Sequence, residues 1–201
     1  QKENIYTIPN LLTMFRIGST PILGYLITSH SYQLSLGLLV IAGITDVLDG
    51  HIARAFPSQK TAFGTHLDPL ADKLLVFVIS FCLAKVSLIP VWLFTIIVLR
   101  DVLLILAVFY LRYQTLPPPK TFARYWNINK ASVNLYPSTL SKFNTMLQIS
   151  AISLSLAAPV FDFMQHPALQ GLWYLTALTT FITGVQYAKN PWKYVKRLNK
   201  K

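Results

Sequence analysis

The run DVLDGHIAR (46–54) is followed, nine residues later, by GTHLDPLAD (64–72), and both lie on stretches apolar enough to enter a membrane. Asp46, Asp49, Asp68 and Asp72 are four of only seven acidic residues in the chain. A carboxylate inside such a segment costs about 2.5–3.5 kcal/mol on insertion scales. Four are kept together only if something offsets that cost, and a divalent cation is the obvious candidate. The spacing agrees. Asp46 and Asp49 are i,i+3 and Asp68 and Asp72 are i,i+4, so on helices each pair projects from one face. Two helices turning these faces toward each other form an all-oxygen cage, the chemistry that magnesium and manganese prefer.

The neighbours of the carboxylates fit a site. Gly50 and Ala53 fall on the helical face of Asp46 and Asp49, so that face carries acid and almost no bulk. Small side chains there leave room for a ligand or for close helix contact. Arg54 ends the segment, where a guanidinium can reach a phosphate held by the metals. Gly64 stands before the second pair, where a helix must start.

Of 201 residues, 53% are hydrophobic and only 12% charged, and the mean hydropathy is +0.47. That lies far outside soluble-domain norms and predicts an integral membrane protein. Six hydrophobic spans are readable, at roughly 11–29, 32–54, 66–86, 89–111, 140–160 and 169–188. Each is near the roughly 20 residues needed to cross the hydrocarbon. The expected fold is all-α: one membrane domain over 1–201, with six transmembrane helices and an N-terminal interfacial segment. Connections are short except for 112–137, which holds Pro117, Pro118 and Pro119. The single cysteine, Cys82, lies in an apolar run and reads as a buried, inert thiol. The chain opens at QKENIYTIPN without a signal or transit peptide, and the expectation is that any targeting segment has been removed or trimmed.

Basic residues set the orientation. With six spans both termini share a side, and that side collects Lys2, Arg54, Lys60, Arg112, Lys120, Arg124, Lys130, Lys142 and the tail from Lys189 to Lys201. The other side has only Lys85 and Asp162. The aspartates therefore face the cytoplasm or its equivalent, the mitochondrial matrix. The net charge of +11 reads as one basic face against anionic lipid headgroups. Nucleic acid, the other usual partner of such a charge, is not expected, since no soluble domain is present to bind it.

A metal cage at the membrane surface, with an arginine at its rim, suits phosphoryl chemistry. Two cations about 3.5–4 Å apart can hold a diphosphate and stabilise both entering and leaving oxygens. One carboxylate can then act as general base toward an acceptor hydroxyl. The residues alone do not name the diphosphate.

The pattern D-x-x-D-G-x-x-A-R, then G-x-x-x-D-x-x-x-D, closely resembles the signature of the CDP-alcohol phosphotransferase family, with eight positions matching in order. Nine residues separate Arg54 from Gly64, where many bacterial members have eight; the extra one lengthens the FPSQKTAF connection. IPNLLTMFRI (8–17) is similar to the family's first span. SKFNTMLQ (141–148) is similar to a basic G-K-x-K-T-x-x-Q stretch, with Ser141 in place of the glycine and Asn144 in place of the second lysine. With RDVLLI (100–105) and the loop FYLRYQTLPPPKTFARYWN (109–127), most of the chain looks like the family's eukaryotic mitochondrial branch.

The resemblance implies transfer of the phosphatidyl group of CDP-diacylglycerol to the free primary hydroxyl of phosphatidylglycerol, releasing CMP and cardiolipin. By the family pattern Asp46, Asp49, Asp68 and Asp72 bind a divalent metal, expected as two ions of Mg2+ or Mn2+, and Asp72 is the base. Gly50 and Ala53 let the cytidine approach, Arg54 sits near the diphosphate, and Gly64 permits the tight helix start. Asn10 and Thr13 fall where members line the nucleotide pocket. Arg16, Arg100 and Lys142 are candidates for acceptor or lipid phosphate. A homodimer in the mitochondrial inner membrane, with its site facing the matrix, is implied as well.

Plainer readings stand beside these. The aspartates could be solvated helix-end charges, which their spacing disfavours. Arg16 and Arg100 could snorkel or pair with a neighbour such as Asp101. His51 and His66 flank the motif, but the expected metals prefer oxygen; His30 and His166, on the other side, read as bystanders. Trp92, Trp126, Trp173 and Trp192 read as interface belts, and the tail KNPWKYVKRLNKK (189–201) as an anchor on anionic lipid. Two rival functions remain: the same chemistry with glycerol 3-phosphate as acceptor, against which the missing lysine at Asn144 counts, and an intramembrane cation transporter.

Overall fold

The computed structural model describes residues 7–55, 62–115, 133–135, 138–189 and 195–197. Among them are six helices: α1 (Ile8–Thr28), α2 (Tyr32–Ala55), α3 (Ala62–Lys85), α4 (Val91–Thr115), α5 (Thr139–Ala157) and α6 (Pro167–Lys189). They coincide with the six hydrophobic spans to within a few residues at each end, and the fold is all-α. One addition was not expected. β1 (Val133–Leu135), from the long connection, pairs antiparallel with β2 (Val195–Arg197), from the basic tail, with Asn134 opposite Lys196.

Ile8–Thr28 and Tyr32–Ile52 are the two stretches, among the described residues, that are long and apolar enough to cross a membrane on composition alone. In α3 the reason for falling short is visible in Asp68, Asp72, Lys73 and Lys85, and in α5 and α6 in their serines and threonines. The distribution of these groups is inverted relative to a water-soluble bundle. Leu99, Leu103, Leu106, Ile149, Leu178 and Phe181 face outward, whereas Ser80, Arg100, Asn144, Gln148, Ser155, Thr176, Thr180 and Thr183 are buried. An apolar exterior around a polar interior is what a lipid solvent selects, since helices then associate through small and polar residues. Buried hydroxyls are satisfied locally: Thr20 donates to the Arg16 carbonyl at 2.8 Å, Ser80 to Val76 at 2.7 Å and Thr176 to Leu172 at 2.7 Å. This is a membrane protein.

The chain divides into two compact units, residues 1–94 with 149–169, and residues 95–148 with 170–201. In the first, α1 packs against both α2 and α3. Its start is set by Pro9 in the first turn, which fixes φ where no intrahelical N–H bond is due. Leu23 and Ile27 of α1 bury against this core with Ala42, Ala71, Ile79 and Leu83. Gly24 allows close approach: a Cβ there would meet Val78 Cγ1 at 3.1 Å and the Cys82 sulfur at 3.3 Å. Cys82 is buried, as its apolar run suggested.

Helix ends in this unit close through left-handed residues that are not glycine. His30 (φ 59°) follows α1, with Ser31 N–H donating to the Leu26 carbonyl at 2.9 Å and His30 N–H to Ile27 at 3.1 Å. Ser87 (φ 60°) follows α3 in the same way, with Leu88 N–H on Leu83 at 2.9 Å and Ser87 N–H on Ala84 at 3.2 Å. Both are Schellman closures. Asp162 (φ 57°) sits before a comparable bond from Phe163 N–H to Ala158 at 3.1 Å.

Candidate active site

Three stripes build the site in the first unit. On α1, Asn10, Thr13, Arg16 and Thr20 recur every three or four residues and are buried, so the helix turns one polar ridge inward. On α2, Ser35, Ala42 and Asp49 are buried at intervals of seven, a narrow seam of small residues ending in a carboxylate. On α3, Asp68 and Asp72 stand one turn apart, with Ala71 fully buried between them.

These stripes bring all four predicted aspartates to α1. Arg16, whose side chain is only 1% exposed, donates through one terminal nitrogen to Asp46 at 2.6 Å and to Asp72 at 2.5 Å. Its other terminal nitrogen donates to Asp49 at 2.6 Å. The Asp68 carboxylate accepts from the Thr13 hydroxyl at 2.6 Å. That hydroxyl also lies 3.0 Å from the Pro9 carbonyl, and its single proton can serve only one of the two. Asp49 is 10% exposed, whereas Asp46 and Asp72 are 51% and 53% exposed. The cluster is closed at Asp49 and open at Asp46 and Asp72.

In this conformation no group of three or more histidine, cysteine or acidic side chains among the described residues is arranged around a metal position. The carboxylates face a guanidinium instead. The donor set nevertheless suits a divalent ion: it is all oxygen, and three carboxylates from two helices already gather around one positive charge. One guanidinium is a single charge set among four acids.

Asn10 is buried on the same ridge as Thr13, and Gly50 follows Asp49 on α2. Ala53 and Arg54 lie in the last turn of α2 and Gly64 in the first turn of α3, with their surroundings outside the described residues. The His66 side chain and the connection bearing Lys60 lie outside them too. His51 is exposed at the end of α2.

Arg100 and Lys142 belong to the second unit, described by itself. Arg100 is buried, pairing with Asp101 at 2.7 Å and donating to the Ser141 hydroxyl at 2.7 Å, while Lys142 is exposed. Asn144 is fully buried, and its Oδ1 accepts from Thr179 at 2.8 Å and Thr180 at 2.9 Å. Gln148 donates to Thr180 at 3.2 Å, and Ser138 N–H donates to the Tyr187 hydroxyl at 3.0 Å. Position 144 is thus held in a neutral network of hydroxyls and amides.

Residues 6–185 match the family described as CDP-alcohol phosphatidyltransferase. The chain belongs to this family. As a CDP-alcohol phosphatidyltransferase it comes from a group of enzymes that use a divalent metal, in keeping with the oxygen donors gathered at Arg16. It is 49% identical over its whole length to a Drosophila melanogaster protein named probable cardiolipin synthase (CMP-forming). It is 49% identical over 92% of its length to the human cardiolipin synthase (CMP-forming). A Rickettsia bellii protein named CDP-diacylglycerol--glycerol-3-phosphate 3-phosphatidyltransferase is 33% identical over 93% of this chain and 96% of its own length. The chain spans 62% of the length of the fly and human relatives.

The hydroxyl network around Asn144 was missed by sequence reasoning, although a signal existed. Thr176, Thr179, Thr180 and Thr183 stand at i, i+3, i+4 and i+7, a threonine ridge along one face of α6.

Proposed function

We propose that this chain is the catalytic domain of a cardiolipin synthase, transferring the phosphatidyl group of CDP-diacylglycerol to the primary hydroxyl of phosphatidylglycerol. The observation that carries this is the convergence of Asp46, Asp49 and Asp72 on one point, with Asp68 beside it, in a chain 49% identical to proteins named for that reaction. Divalent ions, two of Mg2+ or Mn2+ in this reading, would supply neutralisation of the diphosphate and of the departing CMP oxygen. Asp46, Asp49 and Asp68 hold them. Asp72, half-exposed, takes the proton of the acceptor hydroxyl as its oxygen attacks the phosphatidyl phosphorus and the bond to CMP breaks. Asn10, Thr13, Gly50 and Ala53 accommodate the nucleotide, Gly64 lets α3 begin close to it, and Arg54 meets the diphosphate. Arg16, Arg100 and Lys142 serve acceptor or lipid phosphate.

Asn144, bonded to Thr179 and Thr180 where the family pattern has a lysine, leaves one cation fewer for a small dianion and favours a lipid acceptor. The Rickettsia relative supports the second reading, glycerol 3-phosphate as acceptor. Membership of the phosphatidyltransferase family disfavours cation transport. We place the chain in the mitochondrial inner membrane as a six-span homodimer, with the aspartates facing the matrix. The deciding test is metal-dependent CMP release by the purified protein. Turnover with phosphatidylglycerol and little with glycerol 3-phosphate is expected, and the reverse preference overturns the assignment.

A further inference from the structure

Arg16 is an unusual occupant for a metal cage. Its side chain is almost wholly buried, three of its N–H groups are taken by carboxylates from α2 and α3, and its Nε is a buried donor without a partner among the described residues. An arginine placed only to pack, or only to reach a lipid, does not require three acids around its tip. Forked guanidinium geometry suits this bridging, which a point-like ammonium cannot reproduce. A guanidinium is also fixed in the chain, whereas a divalent ion arrives from solution.

We propose that Arg16 is the resident counter-ion of the carboxylate cluster, holding Asp46, Asp49 and Asp72 together before metal binds and competing with divalent ions for the same oxygens. Arg16 would have to release at least Asp46 and Asp72, the two accessible carboxylates, before they could coordinate an ion. The released guanidinium is then free for a phosphate oxygen. Arg16 is in this sense a positioning residue: it prevents four like charges from splaying α2 and α3 apart in the empty site, and it sets the threshold concentration at which metal enters. The inference rests on the reading that these aspartates bind divalent ions.

The test is Mn2+ binding to the whole chain in detergent at low ionic strength, followed by the spin-resonance signal of free Mn2+, with thermal unfolding measured with and without the ion. Arg16→Gln should bind Mn2+ roughly tenfold more tightly or better, because the competing charge is gone. It should also unfold at a lower temperature than the unaltered protein without metal, and regain most of that difference when Mn2+ is added. Arg16→Lys, the more conservative variant, should also bind Mn2+ more tightly than the parent, since one ammonium cannot fork among three carboxylates. Unchanged or weaker Mn2+ affinity in both variants, with unfolding temperatures lowered equally with and without the ion, overturns the proposal and leaves Arg16 a packing residue. Failure of the unaltered protein to bind Mn2+ at all overturns the metal reading along with it.

Discussion

Arg16 on α1 and Asp49 on α2 meet at 2.6 Å with their side chains 1% and 10% exposed, the most enclosed contact among the four aspartates. Asp46, one turn earlier on α2, touches the same guanidinium yet stays half open to the outside. Chemistry and stability therefore separate between two residues three positions apart.

Asp46→Asn should abolish metal-dependent CMP release while the protein inserts, purifies and unfolds near the parent temperature, because an exposed ion pair contributes little to folding. Asp49→Asn should also lose activity, and should be less stable by roughly 1–3 kcal/mol, the range for a charged hydrogen bond lost inside. Arg16 keeps two other partners in that variant, which limits the loss. Turnover assays beside thermal unfolding in detergent separate the two, and near-normal turnover in Asp46→Asn would remove the cage from the mechanism.

Asp72→Asn should lower turnover by at least the roughly 10²-fold typical of a missing general base. Affinity for CDP-diacylglycerol should fall much less than in Asp46→Asn, since the remaining carboxylates still hold the diphosphate. Equal loss of binding in the two variants would make Asp72 a metal ligand only, with another group taking the proton.

The acceptor of the Thr180 hydroxyl is the Asn144 side chain, whereas Thr179 also has the carbonyls of Leu175 at 3.0 Å and Thr176 at 3.1 Å within reach. Asn144→Leu should destabilise by about 1–3 kcal/mol by leaving the buried Thr180 hydroxyl proton unmatched. Thr180→Val removes that hydroxyl but strands the Gln148 amide, which donates to it at 3.2 Å, so part of the loss should be recovered only when Gln148→Leu is added as well. Unfolding temperatures of the single and triple variants check this; a triple variant less stable than Asn144→Leu contradicts it.

Membrane topology gives an independent check on six spans. In a Cys82→Ala background, a cysteine at Lys60 and one at Lys189 should react with an impermeant reagent from one side of sealed vesicles, and a cysteine at Asp162 from the other. Reaction of positions 60 and 189 from opposite sides would mean an odd number of crossings between them.

Much of this architecture could be read from residues. All six helices followed from apolar runs near membrane length, and the four aspartates from their i,i+3 and i,i+4 spacing. Cys82 was placed inside by its surroundings alone. The role of Arg16 was not legible, because the wheel of α1 shows which face holds a residue and not which helix that face will meet. The pairing of β1 with β2 joins segments some 60 residues apart, each three residues long, too short for a periodic signal. The threonine ridge on α6 was present in the sequence but silent, since threonines at helical spacing can face lipid, hydroxyls bonded to their own backbone, as readily as a neighbour.

The turns after α1 and α3 carry a different consequence. His30 and Ser87 hold left-handed backbone that costs an L-residue roughly 1–2 kcal/mol and glycine almost nothing. Ser87 is followed by Leu88, which is buried with its closure partner Leu83, so the turn is held by packing against its own preference. Fifteen and sixteen positions separate these turns from Asp72 and Asp46, nearly all of them helical, which is roughly 20–24 Å at 1.5 Å per residue. At His30 glycine would also remove the hydrogen bond between His30 Nδ1 and the Tyr32 hydroxyl at 2.6 Å, whereas at Ser87 it would relax the backbone far from the chemistry. The turn after α3 is thus the place where a more heat-resistant variant can be engineered without altering the carboxylates, the polar ridge of α1 or the hydroxyl network.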